Sequence, residues 1–122
     1  MKVCDAFVLN IPSSHIYFIA YTEGNPVSKA VILNFTSHHP GKCDETCVVK
    51  VAEYSRLTQD SVVHYKLGEI ADGEEELKKL TENILKSLTP IGSALMSRIK
   101  RGALKSPHTP GTIKRLLTLP KP

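Results

Sequence analysis

With 122 residues, 41% hydrophobic content and no Trp, the chain suffices for one aliphatic core but not for two ordinary domains of about 100–150 residues each. No apolar run nears the roughly 20 residues of a membrane span or forms a signal peptide, and Cys4, Cys43 and Cys47 are too few for a secreted disulfide scaffold, so a single-domain cytoplasmic protein with reduced thiols and no membrane contact is expected. The formal charge of +4 is segregated: no Asp or Glu follows Glu82, whereas Arg98, Lys100, Arg101, Lys105, Lys114, Arg115 and Lys121 fall near the end, which attracts a polyanion or an acidic partner unless it is simply a solvated helix face.

Residues 1–70 read as β-structure. A strand is expected over 3–11, stopped by Pro12-Ser13-Ser14, and a second over 15–22. Glu23-Gly24-Asn25-Pro26 is turn chemistry, because Gly and Asn tolerate left-handed dihedrals and Pro presets its own. The third strand is expected over 30–35, antiparallel to the second. Pro40 and Gly41 then force a loop over 37–42, since neither sustains a ladder. Segments 47–51 and 61–67 bring the count to about five strands. Short connections and strands apolar on both faces predict a bent antiparallel sheet closing into a small barrel, the alternative being an α+β sheet with helices over one side.

From Asp72 the period changes. Asp72 is the expected N-cap, Glu74 to Glu76 suit the positive end of a helix, and Leu77, Leu80, Ile84, Leu85 and Leu88 lie on one stripe. Thr89-Pro90 is expected to start a second helix that ends before Gly102. Thr109-Pro110 is expected to cap a last one running through Leu117, with Pro120 and Pro122 leaving a frayed terminus. On this reading the barrel and the first helix already close a core. The basic segment from Arg98 to Lys121 is then a partner or RNA contact, docked through Ile99, Ile113, Leu116 and Leu117 but dispensable for the barrel itself.

The densest reactive group is Thr36-Ser37-His38-His39-Pro40-Gly41-Lys42 at a strand end, where sites are commonly mounted. Thr36 and Ser37 can donate to a phosphate oxygen, Lys42 can neutralise it, and His38 or His39 can exchange a proton near neutral pH; an ordinary polar loop is the plain alternative. His38, His39, Cys43 and Cys47 would be a zinc set only at an unrecognised spacing, and a Cys opening an apolar strand more often packs as a small hydrophobe. His15 follows a turn and is placed to face a cleft, whereas His64 lies within a strand and reads as a packed residue. Arg56 is either a phosphate ligand or half of a surface ion pair. Gly-x-Ser-x-Gly, Gly-x-Gly-x-x-Gly and P-loop patterns do not occur, so neither a serine-hydrolase elbow nor a nucleotide cofactor has support.

Taken in order, His-Ile-Tyr-Phe-Ile-Ala (15–20), Ala-Val-Ile-Leu-Asn-Phe-Thr-Ser (30–37), Cys-Asp-Glu-Thr-Cys-Val-Val (43–49) and Asp-Ser-Val-Val-His-Tyr (60–65) resemble the PemK/MazF-like toxins of bacterial toxin–antitoxin systems over about residues 13–70. The resemblance implies an SH3-like, CcdB/MazF-type barrel, commonly a homodimer. It also implies cleavage of single-stranded RNA without a metal or other cofactor, and silencing by an antitoxin protein. Family members use a basic residue near the start of the sheet and a Thr or Ser ending the third strand. Those positions fall on His15 and on Thr36 and Ser37, with His38 a further catalytic candidate and His39, Lys42 and Arg56 as substrate contacts. No Arg precedes the second strand, which departs from the family pattern. A non-catalytic toxin-fold protein and a basic nucleic-acid-binding module are the remaining alternatives.

Overall fold

A computed structural model describes residues 1–12 and 15–118. The expected turn residues Ser13 and Ser14, and Pro120, Lys121 and Pro122 at the end, lie outside the described residues. The chain is α+β, with seven strands among the described residues in one antiparallel sheet: β1 (Ala6–Leu9), β2 (Ile16–Glu23), β3 (Lys29–Ser37), β4 (Val48–Val49), β5 (Ser61–Val63), β6 (Glu69–Asp72) and β7 (Ile84–Leu88). The described residues also form three α-helices: α1 (Glu74–Glu82), α2 (Ser93–Lys105) and α3 (Gly111–Thr118).

The sheet runs β4-β5-β3-β2-β1-β7 and is open, so the expected closed barrel is not formed. The two end strands do not meet. β4 is only two residues long, and closure is replaced by helices laid on both faces of the sheet. β3 is the organising strand. One edge pairs with β2 from Glu23↔Lys29 to Tyr17↔Asn34. Its other edge is shared: the first half pairs with β6 (Ala30↔Ala71, Ile32↔Glu69) and the second with β5 (Phe35↔Val63, Ser37↔Ser61).

Alternation in β2 and β3, interrupted in β2 by a register shift between Ile19 and Tyr21, explains why both faces are apolar. Phe18, Ala20, Val31, Leu33 and Phe35 point to one side, where they pack with Leu95, Met96, Ile99 and Ala103 of α2 and Ile113 of α3. Phe7, Ile19, Ala30 and Ile32 point to the other, against Leu77 of α1. A side chain such as Phe18, Leu33 or Ile99, each at 0% exposure, contributes about 1.5–3 kcal/mol by leaving water.

Four sequence expectations are corrected. The single helix from Asp72 to Leu88 is two elements: α1 stops at Glu82 with Asn83 as its cap, and Ile84–Leu88 becomes β7, paired with β1 through Ala6↔Leu88 and Val8↔Lys86. Pairing with β1 and the 2.8 Å bond from Asn10 N–H to the Asn83 carbonyl override the helical stripe. The N-cap is Gly73, not Asp72. Its φ of 90° and ψ of 163° are open to Gly alone, and the Glu76 carboxylate reaches back to accept the Asp72 N–H at 2.6 Å.

The second helix begins at Ser93 and passes through Gly102, where a stop was expected. The C-terminal segment is also built into the core: Ile99 and Ala103 are fully buried, Ile113 is 1% exposed, and all three belong to the larger core cluster. Arg98 is likewise structural, donating to Glu53 at 2.6 Å and to the Val48 carbonyl at 3.2 Å. Among the described residues no helix is long and apolar enough to cross a membrane.

Candidate functional site

Where β3 leaves the sheet, beside β5, lies an open cavity of about 490 Å³. The β3–β5 register determines its floor. Thr36 faces Val62 and Ser37 faces Ser61, so His64, whose N–H donates to the Asn34 carbonyl at 2.9 Å, comes to lie on the same wall as Thr36. Around that floor stand His39 and Lys42 from the β3–β4 loop, Lys66 just after β5, and His108 from the α2–α3 loop. Of the residues expected to form a site, the structure gathers Thr36, Ser37, His39 and Lys42; His15, His38 and Arg56 do not line this cavity.

The loop presenting His39 and Lys42 is braced from below. His38 turns away to Glu45, with Nε2 2.6 Å from Oε2, and the Gly41 N–H donates to the other oxygen of the same carboxylate at 3.1 Å. These two bonds hold the Glu45 carboxyl below its ordinary pKa range. Lys42 N–H and Cys43 Sγ–H both donate to the His39 carbonyl, at 2.9 and 3.3 Å, closing a tight turn. His38 thus shapes the loop that carries its neighbour. Ser37 accepts a 2.6 Å hydrogen bond from Gln59 Nε2, which orients its hydroxyl and leaves the O–H hydrogen able to donate.

Asp44 is the one acidic residue on the wall among the described residues, and it is already engaged. Burial pushes its carboxyl upward, but hydrogen bonds from Ser106 Oγ (2.5 Å), Thr46 Oγ1 (2.5 Å) and Thr46 N–H (3.0 Å), with the nearby His108, outweigh this and hold it below the usual range. Its charge is therefore committed to the fold, while His39, Lys42, Lys66 and His108, which line the same cavity, are exposed. Arg56 is an exposed residue following the three-residue 3-10 turn Val51–Glu53, and His15 is exposed one residue ahead of β2. Cys47 is buried in the core beneath Gly102, so the four side chains weighed as a zinc set diverge.

Sequence reading missed His64, Lys66, Asp44 and His108. The strand expected over 61–67 made His64 look like a packing residue, but β5 ends at Val63 and His64 begins a 3-10 turn; nothing local marks His108, which reaches the cavity only through tertiary packing of α2 and α3. Compared with models of known protein families and with curated proteins, the chain matches none.

Proposed function

We propose that the chain is a metal-independent endoribonuclease of the PemK/MazF toxin type, cutting single-stranded RNA at the cavity where β3 ends. The observation that carries this reading is the convergence of two hydroxyls, several imidazoles and two ammonium groups on one open cavity whose only carboxylate among the described residues is committed elsewhere. That set suits a phosphodiester. Lys42 and Lys66 offset the phosphate charge, and Thr36 and Ser37 donate to the oxygens on which charge builds as the phosphorus becomes five-coordinate. His39 and His64 supply the two proton-transfer groups. One takes the proton of the ribose 2′-hydroxyl as its oxygen bonds to phosphorus; the other gives a proton to the departing 5′-oxygen as the P–O5′ bond breaks. The products are a 2′,3′-cyclic phosphate and a free 5′-hydroxyl, with no net consumption of water.

Single-stranded RNA is the fitting substrate because an unstacked nucleotide can bend into the in-line geometry, and only RNA carries the 2′-hydroxyl. As a toxin of this type the protein would act in the cytoplasm, as a homodimer, and be silenced by an antitoxin protein. The test is incubation of purified protein with mixed single-stranded RNA in chelator. Fragments ending in cyclic phosphate are expected, with rates falling on the order of 100-fold in Thr36→Ala and in His64→Ala. RNA left intact under all conditions rejects catalysis. Binding that weakens steeply with salt but yields no fragments assigns the cavity to nucleic-acid binding instead.

A further inference from the structure

His108 enters the cavity from the far end of the chain, on a loop anchored at both sides. Ser106 is fully buried: its N–H donates to the Gly102 carbonyl at 2.8 Å and its hydroxyl to Asp44 Oδ2 at 2.5 Å. Thr109, at 6% exposure, is buried on the other side. Between them His108 is exposed, and its backbone N–H is held by Ser106 Oγ at 3.1 Å. Pro107 and Pro110 restrict the backbone further. Exposed rather than buried in the core, His108 lines the same cavity as Thr36 and His64. A loop ordered before binding loses little freedom when it meets a ligand.

Resting on the ribonuclease reading, we infer that His108 is a third imidazole of the site. It contacts a non-bridging oxygen of the RNA phosphate, and the Ser106–Asp44 hydrogen bond positions it. Cleavage needs two proton carriers; a third imidazole donates a ring N–H to the oxygen that gains charge in the transition state. Asp44 and Ser106 do not themselves touch substrate in this arrangement. They hold the loop that does.

The experiment uses the full chain and a 2′-O-methyl RNA oligonucleotide, which binds but lacks the attacking hydroxyl. Histidine ring resonances are followed by NMR during titration, in wild type and in His108→Ala, Ser106→Ala and Lys86→Ala, the last being exposed on β7. The His108 ring signal is expected to move on binding. His108→Ala should weaken oligonucleotide affinity about tenfold and slow cleavage of ordinary RNA on the order of 100-fold. Ser106→Ala should reduce the His108 shift while the His64 shift persists, a pattern that general destabilisation would not produce. Lys86→Ala should match wild type throughout. A His108 signal that stays still at saturation, or a His108→Ala protein that binds and cleaves like wild type, overturns the inference and leaves the ribonuclease reading intact. Wild-type binding without cleavage removes the ribonuclease reading, and the ring shifts then decide His108 alone. No binding by wild type removes both.

Discussion

Gly102→Ala provides a sharp test of how α2 sits on the sheet. In an exposed helix interior this change stabilises by about 1 kcal/mol, because Gly is the poorer helix former. Here a Cβ would stand 3.1 Å from Tyr65 Cζ and 3.2 Å from Cys47 Cβ, and would overlap Tyr65 Oη. Tyr65 cannot easily retreat: it is fully buried, and its hydroxyl donates to the Ile99 carbonyl at 2.7 Å. Burial first, and then Cys47, raise the phenol pKa far above its ordinary value, so the ring stays a neutral donor. Overpacking of this kind costs about 1–3 kcal/mol, and a lost hydrogen bond adds about 1 kcal/mol. After the helix-propensity gain, the net destabilisation is about 1–3 kcal/mol. Urea denaturation of Gly102→Ala, Tyr65→Phe and the double variant measures it. Removing Oη should relieve the worst contact, so Gly102→Ala should cost clearly less when Tyr65→Phe is already present. A Gly102→Ala protein as stable as wild type, or equal costs with and without the Tyr65 hydroxyl, would refute this account of the α2 seat.

Ile113→Ala should destabilise the protein by about 2–4 kcal/mol by the same denaturation assay, since a core side chain at 1% exposure is truncated; a cost under about 1 kcal/mol would make α3 peripheral. A chain ending at Lys105 should lose cooperative unfolding, because it lacks Ile113 and the buried hydroxyl of Ser106 together; a sharp transition near the wild-type midpoint would restore the reading of this segment as an appendage. Asp44 tests the linkage between pH and stability. Its carboxyl is depressed in the folded state, so it contributes stability that is present above its unfolded pKa of about 3.9 and is lost as pH falls through the lower folded value. Asp44→Asn should therefore lose less stability than wild type between about pH 4 and pH 2, and parallel urea midpoints across that range would contradict the assignment.

Local chemistry made β2, β3 and the turn between them readable: alternating apolar residues set both strands to within a residue or two, and Gly24-Asn25-Pro26 marked the reversal. The site was half legible for the same reason, since Thr36, Ser37, His39 and Lys42 sit together in sequence at one strand end. What stayed hidden depends on partners distant in the chain. Ile84–Leu88 carries the spacing of a helix and becomes a strand because β1 offers an unpaired edge. Glu69–Asp72 has too little apolar pattern to announce itself and forms only against the first half of β3. Gly102 resembles a helix stop until the Tyr65 hydroxyl is known to occupy the space beside it. His108 lacks any local signal, because its place follows from a hydrogen bond between residues 62 apart, Asp44 and Ser106.

The divided edge of β3 has a kinetic consequence. β2 and β3 are joined by a short turn and can meet within microseconds, as hairpins do, whereas β5 and β6 must each close a longer loop to reach the same strand. β6 has no strand partner but β3 among the described residues and β5 brings only the two-residue β4, so the β2–β3 ribbon is the template on which the later segments condense. Side chains that stitch the ribbon, such as Phe18 and Leu33, should then govern how fast the chain folds. Those added last, Ile113 among them, should govern how long it stays folded, and truncating them should show almost entirely in the unfolding rate.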